Sequence, residues 1–350
     1  MRLEQFKYYL LDKNDNPKLP GNSSTNILHN VLEGDISYNS LGRLKSSLTV
    51  KIQEDELLNI DYMNDRIKPV AIIDGVEYPL GIFLISSPNR NIDSTGVVRF
   101  LTCYSKLKIL DNDKVIERYY VPAGANVINT VINLLGSESY DITPNNATTS
   151  TDHEWEVGTS KLDIINDLLD IINYVSLIPD NDGKFISYPY KLPSEREHTI
   201  EYIEGNDSII ISSMTEDFDF FDVPNIFVRY TNDVDIDPPI IATYPLQSGN
   251  EPITIDGRAP NVSAEEVSDI SDQATLYAKC KQDAYNSRSV YSHLEFSTAI
   301  NPKHGYLDCV WVKVGDIDYK YIETSWSFNL KAGDLMKHTC RRVVDLDATN

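Results

Sequence analysis

The sequence contains few cysteines for its 350 residues. The four that it has, Cys103, Cys280, Cys309 and Cys340, lie far apart and form neither a CxxC pair nor a cluster with histidine. Structural zinc sites and disulfide frameworks need more closely patterned cysteines than these. We therefore expect reduced thiols and no bound metal, as is typical of a product made in the cytoplasm.

Positive charge is also scarce. Lysine and arginine together number 31, against 53 aspartates and glutamates, which gives a formal net charge of -22. Because proteins contact phosphates mainly through lysine and arginine, this balance argues against specific binding of nucleic acid. An acidic surface keeps a protein in solution, and it repels a polyanion that passes close by. Solubility is the simpler of the two interpretations.

Long apolar runs are missing too. The longest apolar segments are interrupted by aspartate or asparagine, and none approaches the roughly 20 residues that a membrane-spanning helix needs. The N-terminal sequence MRLEQFKYYLLDKNDN has only a short apolar core, from Tyr8 to Leu11, so it does not resemble a signal peptide. We expect a soluble chain with no membrane-spanning segment.

Sequence signatures of enzymes are absent. There is no HExxH, GxSxG or GxGxxG motif and no Walker-type phosphate loop. His153 beside Glu154, and His304 in NPKHGYLD, could act as acid or base, but neither belongs to a recognisable catalytic arrangement. A polar histidine in a loop is the simpler interpretation of each. We assign no catalytic, cofactor-binding or metal-binding residue, expect no cofactor, and predict that the chain is not an enzyme.

The strongest acidic pattern lies in EWEVGTSKLDIINDLLDIINY, residues 154–174. Asp163, Asp167 and Asp170 share one face of a predicted helix. The predicted apolar face consists of Leu162, Ile165, Leu169 and Ile172. Catalytic carboxylate pairs and divalent-metal sites draw a partner from a second element, and none is evident nearby. A solvated face of a helix packed on a hairpin is therefore the favoured interpretation.

Strand patterning dominates the first hundred residues. KSSLTVKIQ alternates apolar and polar side chains as a half-buried strand does, and its apolar positions are Leu48, Val50 and Ile52. AIIDGVEYPLGIFLISSP predicts two strands around a turn at Asp74 and Gly75, and GVVRFLTCYS predicts another. Residues 1–104 should therefore form a small antiparallel barrel or sandwich.

The middle of the chain, residues 105–190, is predicted to be an α+β domain. ANVINTVINLLG has the pattern of a short amphipathic helix that ends at Gly136, and Ser160 or Thr159 can cap the acidic helix described above. VSLIPDNDGKFISYPY predicts a hairpin that turns near Gly183. Its PDNDGK run is no calcium loop, because Ile178 would have to be the first ligand.

Strands return in residues 191–345, which we predict to be a second β-rich unit, with residues 346–350 as a tail. The C-terminal strand alternates strongly, with Ile322, Thr324, Trp326, Phe328 and Leu330 on one side. A helical insertion is expected near residues 264–288, with Ser263 as its cap. Its predicted buried face consists of Val267, Ile270, Ala274, Tyr277, Ala278 and Tyr285. The fold class is thus mainly β with an α+β insertion.

Two hairpins in the two β units resemble each other. IIDGVEYPLGIFLIS and KVGDIDYKYIETSWS each place an Asp/Gly turn before an aliphatic or aromatic strand. They could be two copies of one barrel or simply two hairpins, and both interpretations stay open.

Four groups of segments, in the same order along residues 30–345, resemble the tail proteins that form the hub at the distal end of bacteriophage tails. They are DYMNDRIKPVAII with EYPLGIFLISSP, the 154–174 stretch with DGKFISYPY, FDVPNIFVRYTN, and HGYLDCVWV with ETSWSFNLKAGDLMKHTCRRVV. The resemblance implies two tube-like antiparallel β-barrel units plus a helix-containing middle domain. It also implies a homotrimer that presents a pseudo-sixfold ring to the tail tube.

The implied function is that of a structural virion protein. It would be made in the host cytoplasm, join the tail tube to other distal tail proteins at the tail tip, and form a channel that DNA passes without specific binding. Acidic channel walls would then limit sticking of DNA. Because no long fibre or hydrolase sequence follows the last quoted segment, we do not expect direct receptor binding or cell-wall digestion. Alternatives are the hub of a phage-like bacteriocin, a cell-wall glycan hydrolase and a sugar-binding adhesin.

Overall fold

The computed structural model describes residues 2–54, 58–93, 96–205, 208–218, 224–231, 239–245, 259–267, 273–288 and 292–343. It is mainly β, with 47% of the described residues in strands and 14% in helices. The predicted fold class, mainly β with helices inserted, is confirmed. Across the described residues no helix is both long and apolar enough to cross a membrane.

The first half of the fold is an antiparallel sheet. Its strands are β1 (Glu4–Leu11), β2 (Val31–Asn39), β3 (Ser46–Gln53), β4 (Arg66–Ile73), β5 (Val76–Pro79), β6 (Phe83–Asp93) and β7 (Gly96–Ser105). They pair in the order β1-β4-β6-β7-β3-β2, and β5 pairs with β4. Leu48, Val50 and Ile52 are buried as predicted. The hairpin at Asp74 and Gly75 is also confirmed, because both residues have the positive φ that a tight two-residue turn requires.

The middle segment contains three helices and short strands. They are α1 (Leu107–Asn112), β8 (Tyr119–Val121), α2 (Val127–Leu135), β9 (Tyr140–Ile142), β10 (His153–Trp155), α3 (Lys161–Ile171), β11 (Ile178–Pro179) and β12 (Phe185–Ser187). Ser160 accepts a hydrogen bond from the Asp163 amide and caps α3, and Gly136 ends α2 with a positive φ, both as predicted. The hairpin with Gly183 is confirmed as well.

Helix α3 buries a wider face than predicted. Leu162, Ile165 and Leu169 are buried, but Ile164 and Leu168 are buried too. Ile172 lies at the C-cap and is only half-buried. The reason is that α3 contacts both α1 and α2 while its core cluster also includes Phe185 of the hairpin, so more than one side of the helix is covered.

The second half begins after a single 3₁₀ turn at Pro193–Glu195. Its elements are β13 (Ile200–Ile203), β14 (Ile210–Phe218), β15 (Ile226–Tyr230), β16 (Ile241–Pro245), β17 (Val262–Glu266), α4 (Gln273–Arg288), β18 (Ser292–Ala299), β19 (Cys309–Val314), β20 (Ile317–Asn329) and β21 (Leu335–Arg342). Six of these strands pair in the order β13-β19-β20-β21-β18-β14. β16, β15 and β17 form a separate small sheet.

The predicted face and cap of the inserted helix are wrong. Ser263 lies in β17 and cannot cap a helix, and α4 starts only at Gln273. The buried residues of α4 are Leu276, Cys280 and Ala284, whereas the side chains of Ala274, Tyr277 and Ala278 are exposed. The helix carries polar residues on all sides, so the small sheet beneath it decides which narrow stripe is buried. Ile270 and the side chain of Tyr285 fall outside the described residues.

The two halves join edge to edge. Residues 35–39 of β2 pair antiparallel with residues 325–329 of β20, so that thirteen of the described strands form one curled sheet. The strand order of the first half, β1-β4-β6-β7-β3-β2, is repeated in the second half. One pair differs in direction: β13 is parallel to β19, whereas β1 is antiparallel to β4. The two similar hairpins of the sequence, β4–β5 and β19–β20, hold equivalent places. This order favours the duplication, which remains a hypothesis.

Candidate functional site

The junction where β2 pairs with β20 is called the seam below, and its buried side carries an aromatic contact. Tyr38 of β2 stacks on Trp326 of β20, with ring centroids 4.7 Å apart and an interplanar angle of 13°. Tyr306 packs edge-on against the Tyr38 ring and at a tilt against the Trp326 ring. Trp326, Phe328 and Met336 belong to the same hydrophobic cluster as the core of the first half. The two halves therefore share one core at the seam.

A buried polar cluster lies next to this aromatic contact. It consists of Glu323 on β20, His338 on β21 and His304 in the loop before β19, which are 0%, 2% and 5% exposed. Each carboxylate oxygen of Glu323 contacts the Nδ1 atom of one histidine. The His304 ring also lies 5.9 Å from the Trp326 ring. The cluster thus ties two adjacent strands and a loop together beside the seam.

The outer ends of both imidazoles meet hydroxyl groups. His304 Nε2 contacts the hydroxyl of Tyr202 on β13, and His338 Nε2 lies 2.9 Å from Thr298 Oγ1 on β18. Burial raises the pKa of Tyr202 well above its usual value, so this phenol stays protonated. The cluster therefore links four strands, β13, β18, β20 and β21, through hydrogen bonds.

The carboxylate of Glu323 is ionised in this setting. Burial raises its pKa, but the contacts with His304 and His338 outweigh burial, and the net direction is downward. Burial also lowers the pKa of His338, which favours a neutral imidazole. A neutral imidazole can still donate its Nδ1 proton to the carboxylate. The cluster is thus a set of charge-assisted hydrogen bonds in a low-dielectric interior.

Two histidines and a glutamate also form a donor set that divalent metals bind. Here each carboxylate oxygen contacts the Nδ1 atom of one imidazole directly. All three side chains are buried, and each is paired within the cluster. We assign the cluster a structural role.

The prediction that His304 is a lone polar histidine in a loop is wrong, because the side chain belongs to a buried cluster. The residue does lie in a loop, but it is buried and its Nδ1 atom contacts the carboxylate of Glu323. One signal in the sequence could have shown this cluster: His338 alternates in phase with Met336 and Cys340, which places it on the buried face of its strand. His153 opens β10 and is half-buried, and Glu154 forms an ion pair with Arg118.

The three aspartates of α3 do not come together into a reaction centre. Each one contacts a different element: Asp163 pairs with Arg43 of the first half, Asp167 accepts a hydrogen bond of 2.8 Å from Trp155 Nε1, and Asp170 lies 3.2 Å from Lys279 of α4. The prediction of a purely solvated face is therefore corrected, since these partly exposed groups hold α3 against its neighbours.

Asp163 allows a pH test. The hydrogen bond from Arg43 lowers the pKa of Asp163, so its contribution to stability is present above the unfolded pKa of about 3.9 and is lost as pH falls through the lower folded value. We expect Asp163→Asn to reduce the free energy of unfolding by about 0.5–1 kcal/mol at pH 7. Urea titrations should show the difference vanish near pH 2. A double-mutant cycle with Arg43→Met isolates the pair, and a difference that grew on acidification would contradict this account.

The opposite face of the large sheet carries a row of polar side chains that crosses the seam. Pairing aligns Ser47, Ser37, Ser327, Lys337 and Ser297 on β3, β2, β20, β21 and β18 in turn. The hydroxyls of Ser37 and Ser47 lie 2.9 Å apart. Part of this row borders an open groove of about 520 Å³. We call these five residues, four serines and one lysine, the hydroxyl row.

The fold, a curled sheet of two joined halves with an α+β segment between them, is that of phage tail proteins. A tail protein from Neisseria meningitidis has a TM-score of 0.69 and 13% identity, over 97% of this chain and 97% of its own. The 43 kDa tail protein of prophage MuSo2 from Shewanella oneidensis has a TM-score of 0.69 and 11% identity, over 99% and 100%.

A chain of the PdpA–VgrG complex of Francisella is also similar. Its TM-score is 0.59 at 8% identity, over 98% of this chain and 53% of its own. No family model matches the sequence, and no curated protein matches it. At these identities the likeness establishes the fold.

Proposed function

We propose that this chain is a structural virion protein that forms the hub at the distal end of a phage tail. It would join the tail tube to other tail-tip proteins and be made in the host cytoplasm. The observation that carries this proposal is the full-length likeness to tail proteins, combined with two halves of equal strand order in one sheet. As a homotrimer, the chain would present six similar halves to the tail tube.

We further propose the domain division that the sequence suggested. The first β unit would span residues 1–104, the α+β domain residues 105–190 and the second β unit residues 191–345. Two hydrophobic clusters support this division, one in the middle segment and one among β13, β18, β19, β20 and β21, while the cluster at the seam includes residues of both β units. The tail at residues 346–350 lies outside the described residues.

The channel for DNA would be lined in part by the hydroxyl row. This surface continues across both halves, and hydroxyl groups do not attract phosphates as lysine and arginine do. Lys337 is its one charged member, and Asp35 and Glu295 lie on flanking positions of the same face. A hydroxyl-lined wall differs from the acidic wall expected at first, but it would serve the same end of letting DNA pass without specific binding.

The alternatives differ in what supports them. The hub of a phage-like bacteriocin would have the same fold, and neighbouring genes for a capsid and a packaging motor would distinguish a phage. A component like VgrG is less favoured, because the likeness covers 53% of that chain but nearly all of the tail proteins. A glycan hydrolase or a sugar-binding adhesin has no arrangement of described residues in its favour, and release of fragments from cell walls would reveal the former.

The proposed trimer is tested by mass. We expect the purified chain to elute with three times the 39.6 kDa mass of one copy in size-exclusion chromatography with light scattering. A chain that stays monomeric up to the highest attainable concentration, and also in the presence of tail-tube protein, would contradict the proposed hub.

A further inference from the structure

The buried polar cluster of Glu323, His304 and His338 offers three ligands to a divalent metal ion. One ligand atom from each side chain lies within 4.8 Å of the other two. The three residues come from separate segments, namely the loop before β19, strand β20 and strand β21. Two histidines and one glutamate are the protein ligands of one class of zinc site, in which a water molecule is the fourth ligand.

The neighbour of His338 decides which of its ring nitrogens carries a proton. The Thr298 hydroxyl donates to the Ala299 carbonyl at 2.8 Å, so its oxygen can accept the hydrogen bond from His338 Nε2, which is 2.9 Å away. A neutral imidazole has one N–H group only. Neutral His338 then turns the lone pair of Nδ1 toward Glu323, and donation from Nδ1 requires that Thr298 give up its contact with Ala299.

The contact between His304 and Glu323 also lacks a well-placed proton. His304 Nδ1 and Glu323 Oε2 touch each other, but neither atom has a hydrogen-bond partner of normal geometry among the described residues. An ionised carboxylate and an imidazole lone pair repel each other, whereas a cation between them attracts both. Both histidine contacts therefore indicate that a positive charge belongs at the centre of the cluster.

The groups around the cluster are those that support metal ligands. A histidine that binds a metal through one ring nitrogen donates its other N–H to an acceptor, and this second bond fixes the orientation of the ring. His338 Nε2 meets the Thr298 hydroxyl in this way, and His304 Nε2 meets the Tyr202 hydroxyl. Both imidazoles are thus held with Nδ1 directed at the carboxylate.

A second carboxylate lies beside the cluster. Asp308 Oδ2 accepts a hydrogen bond of 2.8 Å from the amide of Gly305, the residue after His304, and the Asp308 carbonyl accepts one of 2.9 Å from the amide of Glu323. With Asp308 and Glu323 both ionised, their two negative charges balance the charge of a divalent ion, so binding would leave no net charge in the interior.

We propose that Glu323, His304 and His338 bind a divalent transition metal ion such as Zn²⁺, which fastens the loop before β19 to strands β20 and β21. The ion takes the place of the protons between these side chains, and the displaced protons pass to water. Zinc with bonds of about 2.0–2.2 Å keeps its ligand atoms roughly 3.3 Å apart, so the carboxylate and the two Nδ1 atoms separate by about 1 Å on binding. This site replaces the expectation of no bound metal, and it does not depend on the proposed hub.

The test uses the full chain, with Zn²⁺ as the probe. We expect wild-type protein that has been stripped with a chelator and dialysed against Zn²⁺ to retain about one equivalent by elemental analysis. Zn²⁺ should also raise its melting temperature by roughly 5 °C relative to the stripped protein, because a ligand that binds the folded state stabilises it.

Two substitutions locate the bound ion. His304→Gln removes one ligand and should lose both the retained equivalent and the rise in melting temperature. His198→Gln is the matched control, because His198 contacts Glu201 at 2.7 Å on the surface, and this variant should retain both. Asp308→Asn keeps the hydrogen-bond acceptor and removes the balancing charge, so it should weaken Zn²⁺ binding about tenfold even if His304→Gln fails to fold.

A wild-type chain that retains no Zn²⁺ and gains no thermal stability from it would overturn this inference. Retention that His198→Gln abolishes, or that both His304→Gln and Asp308→Asn leave unchanged, would assign the ion to the surface and overturn it equally. Circular dichroism of each variant separates loss of the ion from loss of the fold.

Discussion

Replacing Glu323 by alanine should reduce the free energy of unfolding by roughly 4 kcal/mol, because it leaves the Nδ1 groups of two buried histidines without their shared acceptor. The side chain is fully buried. Glu323→Gln should cost less, since an amide can accept from one imidazole and donate to the other after a change of tautomer. Urea unfolding at pH 7, followed by tryptophan fluorescence, measures both.

The chain supplies a matched control for this substitution. His198 and Glu201 form a similar pair, 2.7 Å apart, but on the surface. Glu201→Ala should change the free energy of unfolding by less than about 1 kcal/mol, since exposed ion pairs contribute little. If Glu323→Ala proved as mild as Glu201→Ala, the buried cluster would not hold the strands together as described.

Trp326→Ala should be about as costly, at roughly 3–5 kcal/mol, because it removes a buried ring from the core that the two halves share. The ring is 4% exposed and loses its stacking on Tyr38. Trp311 on β19 is the matched control: it is half-buried, and its Nε1 atom bonds to Asp318 at the surface.

We expect Trp311→Ala to cost less than half as much as Trp326→Ala. Hydrogen exchange adds a local measurement, since loss of the seam should speed exchange at the paired residues 35–39 and 325–329. Equal effects of the two tryptophans, or unchanged exchange at these strands, would show that the aromatic contact does not hold the seam.

Local features of this fold could be predicted from the sequence because their causes are local. The alternation around Val50 predicts β3, the Asp74–Gly75 pair predicts the turn between β4 and β5, and Ser160 predicts the start of α3. Each depends on residues within a few positions of one another. The face of α4 could not be predicted, because Leu276, Cys280 and Ala284 are selected by the sheet beneath them rather than by a strong apolar stripe.

Long-range features were beyond the sequence pattern. At the seam, Ile36 pairs with Phe328. The alternation of apolar residues within each strand does not indicate which other strand it pairs with. The alternation of β20 places Ile322 on the predicted apolar side and so predicts that its neighbour Glu323 faces outward. In the structure, the register of the β20–β21 pairing shifts between Glu323 and Ser325, and this shift turns the Glu323 side chain inward. The buried cluster could therefore be identified only in the folded structure, where β13, β18, β20 and β21 are neighbours.

The most direct test of the proposed hub is the location of this chain in assembled particles. Electron cryomicroscopy of purified tails, with the fold fitted to the density of the distal end, should place three copies around the tail axis there, with the hydroxyl row facing the channel. Density for this chain repeated along the tail tube, or particles that are complete without it, would contradict the account.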